Sequence, residues 1–224
     1  MDITLQVLQA LGYFLLLFLL VVLWGKVVRR QEIRAFWFLL ASALTINLLG
    51  NIAWIIYDTV TGRSLATFSA VDLFYVSRYV LIGLVLWIHP TSLPRKAGIW
   101  TGVVTLIVTV LIWAVYFPSA MQLHGGDWMG FLGLAMYPAL DTALIMLAWF
   151  RLRFLQRKEQ GIFFLLLLFS MMSYGIANTL NLTGYVFPSL NRGVLPNIFW
   201  ILTDVFLLVM AFNDAEIKKI RNEK

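Results

Sequence analysis

Seven long apolar runs follow one another along the chain, and the short connections between them alternate between strongly basic and nearly free of charge. That alternation constrains the fold more than any single motif. Each run must find an apolar environment, and the basic connections must all lie on one side of it. The runs cover 5–24, 35–57, 71–88, 98–117, 130–150, 161–180 and 194–212. Lengths of roughly 18 to 23 residues let a helix cross a hydrocarbon core of ~30 Å, while the two-residue alternation of a membrane barrel is absent. With 61% hydrophobic and 12% charged residues and a mean hydropathy of +0.86, the composition lies far from that of a soluble domain. The expectation is an all-α polytopic membrane protein, a seven-helix bundle forming one transmembrane domain over 1–224, ending in a short cytoplasmic tail over 213–224.

Orientation follows from the cations, because short loops rich in Lys and Arg stay on the cytoplasmic side. Lys26, Arg29, Arg30 and Arg34 occupy the first connection, Arg95 and Lys96 the third, Arg151, Arg153, Arg157 and Lys158 the fifth, and Lys218, Lys219, Arg221 and Lys224 the tail. The intervening connections carry only Arg63 and Arg192, and Arg78 falls inside a run. The N-terminus is therefore expected outside and the C-terminus in the cytoplasm. The formal net charge of +6 reads as a topology signal with membrane lipids as partners, not as a nucleic-acid surface. The first run lacks the basic leader and small-residue cleavage site of a signal peptide, so it is expected to be a helix of the mature protein.

Several chemistries lack their residues. Without cysteine there is no thiolate, disulfide or thiolate metal site. The two histidines, His89 and His124, are too far apart for a helical metal pair. The seventh run contains no lysine for a retinal Schiff base, and no serine within the spans has a histidine base beside it. No enzyme activity or metal is expected, and no cofactor is assigned. Pro118–Met129, Asn181–Gly193 and Asp58–Ala70 read as the longest external loops. Trp24, Trp37, Trp87, Trp100, Trp113, Trp128 and Trp149 read mostly as interfacial anchors.

Polar groups inside the runs are the candidates for function, since a charge in hydrocarbon costs a few kcal/mol and needs a partner. The twelve selected are Asn47 and Asn51 in the second run, Asp72, Tyr75, Arg78 and Tyr79 in the third, Tyr137 and Asp141 in the fifth, Asn178 in the sixth, and Asn197, Trp200 and Asp204 in the seventh, and Ser170, Ser173 and Tyr174 of the sixth run belong to the same polar set. Residues 72, 75 and 79 share a helix face, and Arg78 is expected to pair with Asp141, Asp204 or both. Two readings stay open. The groups enclose a polar pocket open to the outside, or they hold helices together at about 0.6 kcal/mol per hydrogen bond. A faint internal alignment sets residues 72–79 over 197–204 and Asn51 near Asn178, the three-plus-one-plus-three plan of a parallel repeat.

The passage Phe68-Ser69-Ala70-Val71-Asp72-Leu73-Phe74-Tyr75 resembles a stretch common in the seven-helix N-terminal sensor regions of bacterial signalling proteins, which precede diguanylate cyclase or histidine kinase modules. Asn47, Gly50, Asn51, Trp54 and Tyr57 before it, and Tyr137, Pro138 and Asp141 after it, extend the similarity over about 34–212. The chain departs from that pattern at Arg78-Tyr79-Val80, where Tyr-Pro is frequent, at Asn197, where an acidic residue is frequent, and in the missing output domain. The resemblance implies a sensory or ligand-binding module of the bacterial cytoplasmic membrane. It would take a small hydrophobic or polar ligand and signal to a cytoplasmic or membrane protein partner through the seventh helix, as a piece of a longer receptor or a free-standing relative. Two alternatives from other classes are an accessory subunit of a larger membrane complex and a small solute transporter with parallel repeats.

Overall fold

The computed structural model describes residues 3–30, 33–61, 69–88, 93–154, 161–190 and 193–213. Arg63, His89, Arg157, Lys158, Arg192 and the tail cations Lys218, Lys219, Arg221 and Lys224 lie outside the described residues. Seven α-helices follow in order: α1 Ile3–Arg29, α2 Arg34–Thr61, α3 Asp72–Ile88, α4 Arg95–Leu123, α5 Trp128–Arg153, α6 Gly161–Val186 and α7 Val194–Phe212, with a 3-10 turn Pro188–Leu190 before the last. Six of them are long and apolar enough to cross a membrane, and the chain is on that ground a multi-pass membrane protein. The exception is α3, whose 17 residues rise about 26 Å.

The helices close a ring in which α1 packs on α2, α2 on α3, α3 on α5, α5 on α6, α6 on α7 and α7 back on α1. α4 lies outside this ring against α5 and α6. Lipid is as apolar as leucine, so what holds such a bundle is close packing and interhelical hydrogen bonding. The main core collects Leu19, Leu23, Trp37, Leu40, Ile82, Phe163, Leu167 and Met210 from five helices. A second, smaller cluster of Ile112, Ala120, Phe131, Ala135, Leu182 and Val186 joins α4, α5 and α6.

That second cluster corrects two loop expectations. α4 continues through Pro118 to Leu123, and α6 continues through Asn181 to Val186. Ala120, Leu182 and Val186 are buried there, and Phe131 meets Trp113 edge to face at 5.1 Å. Of the polar residues that suggested turns, Thr183 is satisfied along the helix, its Oγ1 donating to the Thr179 carbonyl at 2.8 Å and lying 3.3 Å from the Tyr116 hydroxyl. Pro118 forgoes one backbone hydrogen bond, a loss that packed membrane helices tolerate. The α4–α5 turn passes through Gly125 and Gly126 with positive φ of 63° and 90°, a backbone that glycine adopts without strain. His124 closes α4 and stacks on Tyr185 with centroids 3.9 Å apart.

Trp37 is a further correction. It is fully buried, not interfacial, and its ring packs edge to face on Phe36 at 5.1 Å and Phe163 at 5.8 Å. Arg151, counted among the loop cations, lies inside α5 and is 3% exposed. Its Nε and Nη2 donate to the Leu86 carbonyl at 2.8 and 2.5 Å. The cation thereby satisfies a carbonyl in the last turn of α3, where a helix leaves its acceptors unpaired.

Candidate functional site: a polar core around Arg78

α3 starts with a reciprocal cap. The Ser69 Oγ accepts from the Val71 backbone N–H at 3.2 Å, and Asp72 Oδ2 accepts from the Ser69 N–H at 2.5 Å. This capping-box arrangement satisfies donors that a helix N-terminus leaves free. The other Asp72 oxygen accepts from the Tyr137 hydroxyl of α5. Asp72 therefore fixes both where α3 begins and how it meets α5. Below it, Tyr75 and Tyr79 follow at intervals that keep them on the interior face.

Tyr75 donates its hydroxyl to Asn51 Oδ1 on α2 at 2.9 Å. Tyr79, 4% exposed, donates to Asp141 Oδ1 on α5 at 2.8 Å. Asn178 of α6 closes the group, its Nδ2 donating to Asp141 Oδ2 at 2.7 Å and to the Tyr79 oxygen at 3.0 Å. Both Asp141 oxygens are thus engaged by neutral donors inside a site where the residue is 2% exposed. Seven residues separate Asp72 from Tyr79, so this ladder descends about 10 Å along α3. Three rings line it: Tyr137 meets Tyr75 edge to face and Tyr79 at a 30° tilt, both with centroids 6.1 Å apart.

Arg78 lies at the inner end of the ladder and is 2% exposed. Its guanidinium carbon sits 3.6 Å from the centroid of the Tyr174 ring on α6 and 5.7 Å from that of Tyr79. A guanidinium over an aromatic face gains cation–π attraction, about 2 kcal/mol or more when desolvated. The expected aspartate contacts are made differently. Among the described residues Arg78 Nε and Nη1 are buried without a hydrogen-bond partner, and Asp141 and Asp204 act on the cation through space. Asn47, one turn deeper than Asn51 on α2, also keeps a buried Oδ1 without a partner.

Of the twelve residues selected from the sequence, seven form three hydrogen-bonded sets, Asn51 with Tyr75, Asp72 with Tyr137, and Tyr79 with Asp141 and Asn178, which the ring contacts of Tyr137 with Tyr75 and Tyr79 bring into one cluster with Arg78 beside it. Asp204 of α7 reaches the group only electrostatically. Asn197 turns back to its own helix, donating to the Gly193 carbonyl at 2.7 Å, and Trp200 makes no hydrogen bond to the cluster among the described residues. The asparagines equated by the internal alignment bond differently, Asn51 to the neighbouring α3 and Asn178 to α3 and α5. Tyr174, in the polar set of the sixth run but not among the twelve selected, also belongs to the site. It stands four residues before Asn178, and that spacing, which places both on one helix face, was the available signal.

Two glycines set the spacing of the elements. A Cβ on Gly50 of α2 would lie 3.0 Å from Phe74 Cβ and 3.2 Å from the Tyr75 ring, and one on Gly175 of α6 would lie 3.2 Å from Asp141 Cβ. Small residues let membrane helices approach closely. Here they bring Tyr75 to Asn51 and Asp141 to Asn178. No family model, no curated protein and no solved structure matches this chain. The functional reading therefore rests on the site. Its groups can recognise a molecule by hydrogen bonding and charge, since Arg78 offers donors, Asn47 an acceptor, and the tyrosines flat walls.

Proposed function

We propose that the chain is a ligand-responsive sensory module of the bacterial cytoplasmic membrane, with its N-terminus outside and its C-terminus inside. A small molecule seated on Arg78 biases the position of α7, and α7 passes that bias to a cytoplasmic partner. The carrying observation is Arg78 itself, a cation 2% exposed whose Nε and Nη1 have no acceptor among the described residues. A buried guanidinium held for packing alone would be expected to have its donors satisfied, because an unpaired buried polar group costs about 1–3 kcal/mol. The basic connections support the orientation. α7 is the natural relay because it packs on α6 and α1 and carries Asp204, whose charge neighbour is Arg78. A ligand shifts such an equilibrium only by its differential affinity for the two arrangements.

Native mass spectrometry of the gently extracted protein tests this reading against Arg78→Met and Arg78→Lys variants. The expected result is a small molecule of defined mass retained by the wild type and lost from both variants. Equal spectra for all three proteins, with nothing retained, would overturn it. A retained protein subunit in place of a small molecule would replace it with an accessory-subunit role.

A further inference from the structure

We infer that the molecule recognised at Arg78 is uncharged and presents a carbonyl or hydroxyl oxygen beside an N–H or O–H donor, as an amide edge does. The inference rests on the ligand-binding reading above and adds the chemical class. It draws on which polar atoms the protein itself leaves unmatched, on the charge already in the cluster, and on the shape of its walls.

The unmatched atoms are of both kinds. Arg78 Nε and Nη1 are donors without acceptors, and Asn47 Oδ1 is an acceptor without a donor. The Asn51–Tyr75 hydrogen bond sets the register of α2 against α3. Moving one turn deeper on each helix leads to Asn47 on α2 and to Tyr79, with Arg78 next to it, on α3. The two kinds of unmatched group therefore lie at one depth and do not bond each other. A molecule that satisfies both must accept and donate.

Charge narrows the class further. The Arg78 charge already has Asp141 on α5 and Asp204 on α7 as electrostatic neighbours. A simple anion would offer acceptors to Arg78 but bring no donor to Asn47 Oδ1, which would stay buried and unmatched. An ammonium would be drawn by the carboxylates but would place N–H donors against those of Arg78, leaving both sets unpaired. An uncharged molecule avoids both penalties. The flat faces of Tyr75, Tyr79 and Tyr137, with Tyr174 6.3 Å from Tyr79, favour a planar body.

Three probes of one skeleton test the inference: benzamide, benzoate and benzylammonium. Binding of each to the detergent-solubilised protein is measured by ligand-observed saturation-transfer NMR, for the wild type, Arg78→Lys and Asn47→Leu. Thermal unfolding of each variant serves as the check that it is folded. The expected result is saturable benzamide binding, with the two ions at least about tenfold weaker and each substitution weakening benzamide about tenfold, the scale on which a hydrogen-bonding site discriminates. Benzoate or benzylammonium binding as well as benzamide would overturn the inference, and so would benzamide binding indifferent to both folded variants. If native mass spectrometry finds a retained anion or cation whose loss follows Arg78, the chemical class fails and the ligand-binding reading stands. If no molecule is retained and benzamide does not bind, both fail.

Discussion

Removing one oxygen from the molecule tests how the polar core is built. The Tyr79 hydroxyl donates to Asp141 at 2.8 Å and accepts from Asn178 at 3.0 Å, so Tyr79→Phe deletes two interhelical hydrogen bonds while the ring keeps its place beside Tyr137 and Tyr174. Interhelical hydrogen bonds in membrane proteins average about 0.6 kcal/mol and reach about 1.7, and one to a carboxylate is about twice as strong as a neutral one. Asp141 retains its bond from Asn178 at 2.7 Å, which limits the damage. The expected loss is about 1 to 2 kcal/mol, at most a factor of about thirty in the folding equilibrium. Reversible unfolding in mixed micelles of a mild detergent and dodecyl sulfate, followed by tryptophan fluorescence, provides the assay. Because Tyr79 and Asn178 share Asp141, a double-mutant cycle with Asn178→Leu should show a coupling above about 0.5 kcal/mol. Strict additivity, or a Tyr79→Phe protein as stable as the wild type, would refute the shared network.

Other expected outcomes follow from single contacts. Gly175→Leu should cost about 1–3 kcal/mol by overpacking, since even a Cβ there lies 3.2 Å from Asp141 Cβ, whereas Gly102→Ala, with nothing within 4 Å, should leave stability unchanged or raise it by up to about 1 kcal/mol; equal effects in the same unfolding assay would contradict the close approach of α5 and α6. Arg151→Met should cost about 1.5–3 kcal/mol through the lost charged hydrogen bonds to Leu86. The exposed Arg153→Met should stay within about 0.5 kcal/mol of the wild type. With no natural cysteine in the chain, a membrane-impermeant maleimide should label Ser189→Cys in intact cells and Arg153→Cys only after permeabilisation. The reverse pattern would invert the orientation.

The apolar runs were legible because hydrocarbon length acts on whole segments, so the helices fell where hydropathy put them. The C-terminal ends of α4 and α6 were not. Pro118 and the Asn181–Gly184 stretch look like turns in isolation, and only packing of Ala120, Leu182 and Val186 against α5 residues keeps them helical. The members of the polar core were legible for a similar reason, since an aspartate or arginine inside a span has few alternatives to an interior partner. Their pairing was less so. Formal charge suggested an Arg78–aspartate ion pair, yet the neutral donors Tyr79 and Asn178 occupy Asp141 and an aromatic face takes the guanidinium. Gly175 carried no signal in one sequence, because its value depends on the Asp141 side chain opposite it. Arg151 was read as a loop cation because it stands where an apolar run ends, and nothing local marks its reach to the Leu86 carbonyl.

The central claim is that Arg78 is where an occupant is recognised, and the side-chain Nε–H signal of Arg78 reports on it directly. Its resonance, assigned with the Arg78→Lys variant and recorded by 15N-edited NMR on gently purified protein, can be compared with that of protein stripped by exhaustive detergent exchange and then supplied with benzamide. The account predicts a signal that moves on stripping and moves again, saturably, on addition of benzamide. A signal unchanged across all three preparations would contradict it and leave the buried guanidinium as packing alone.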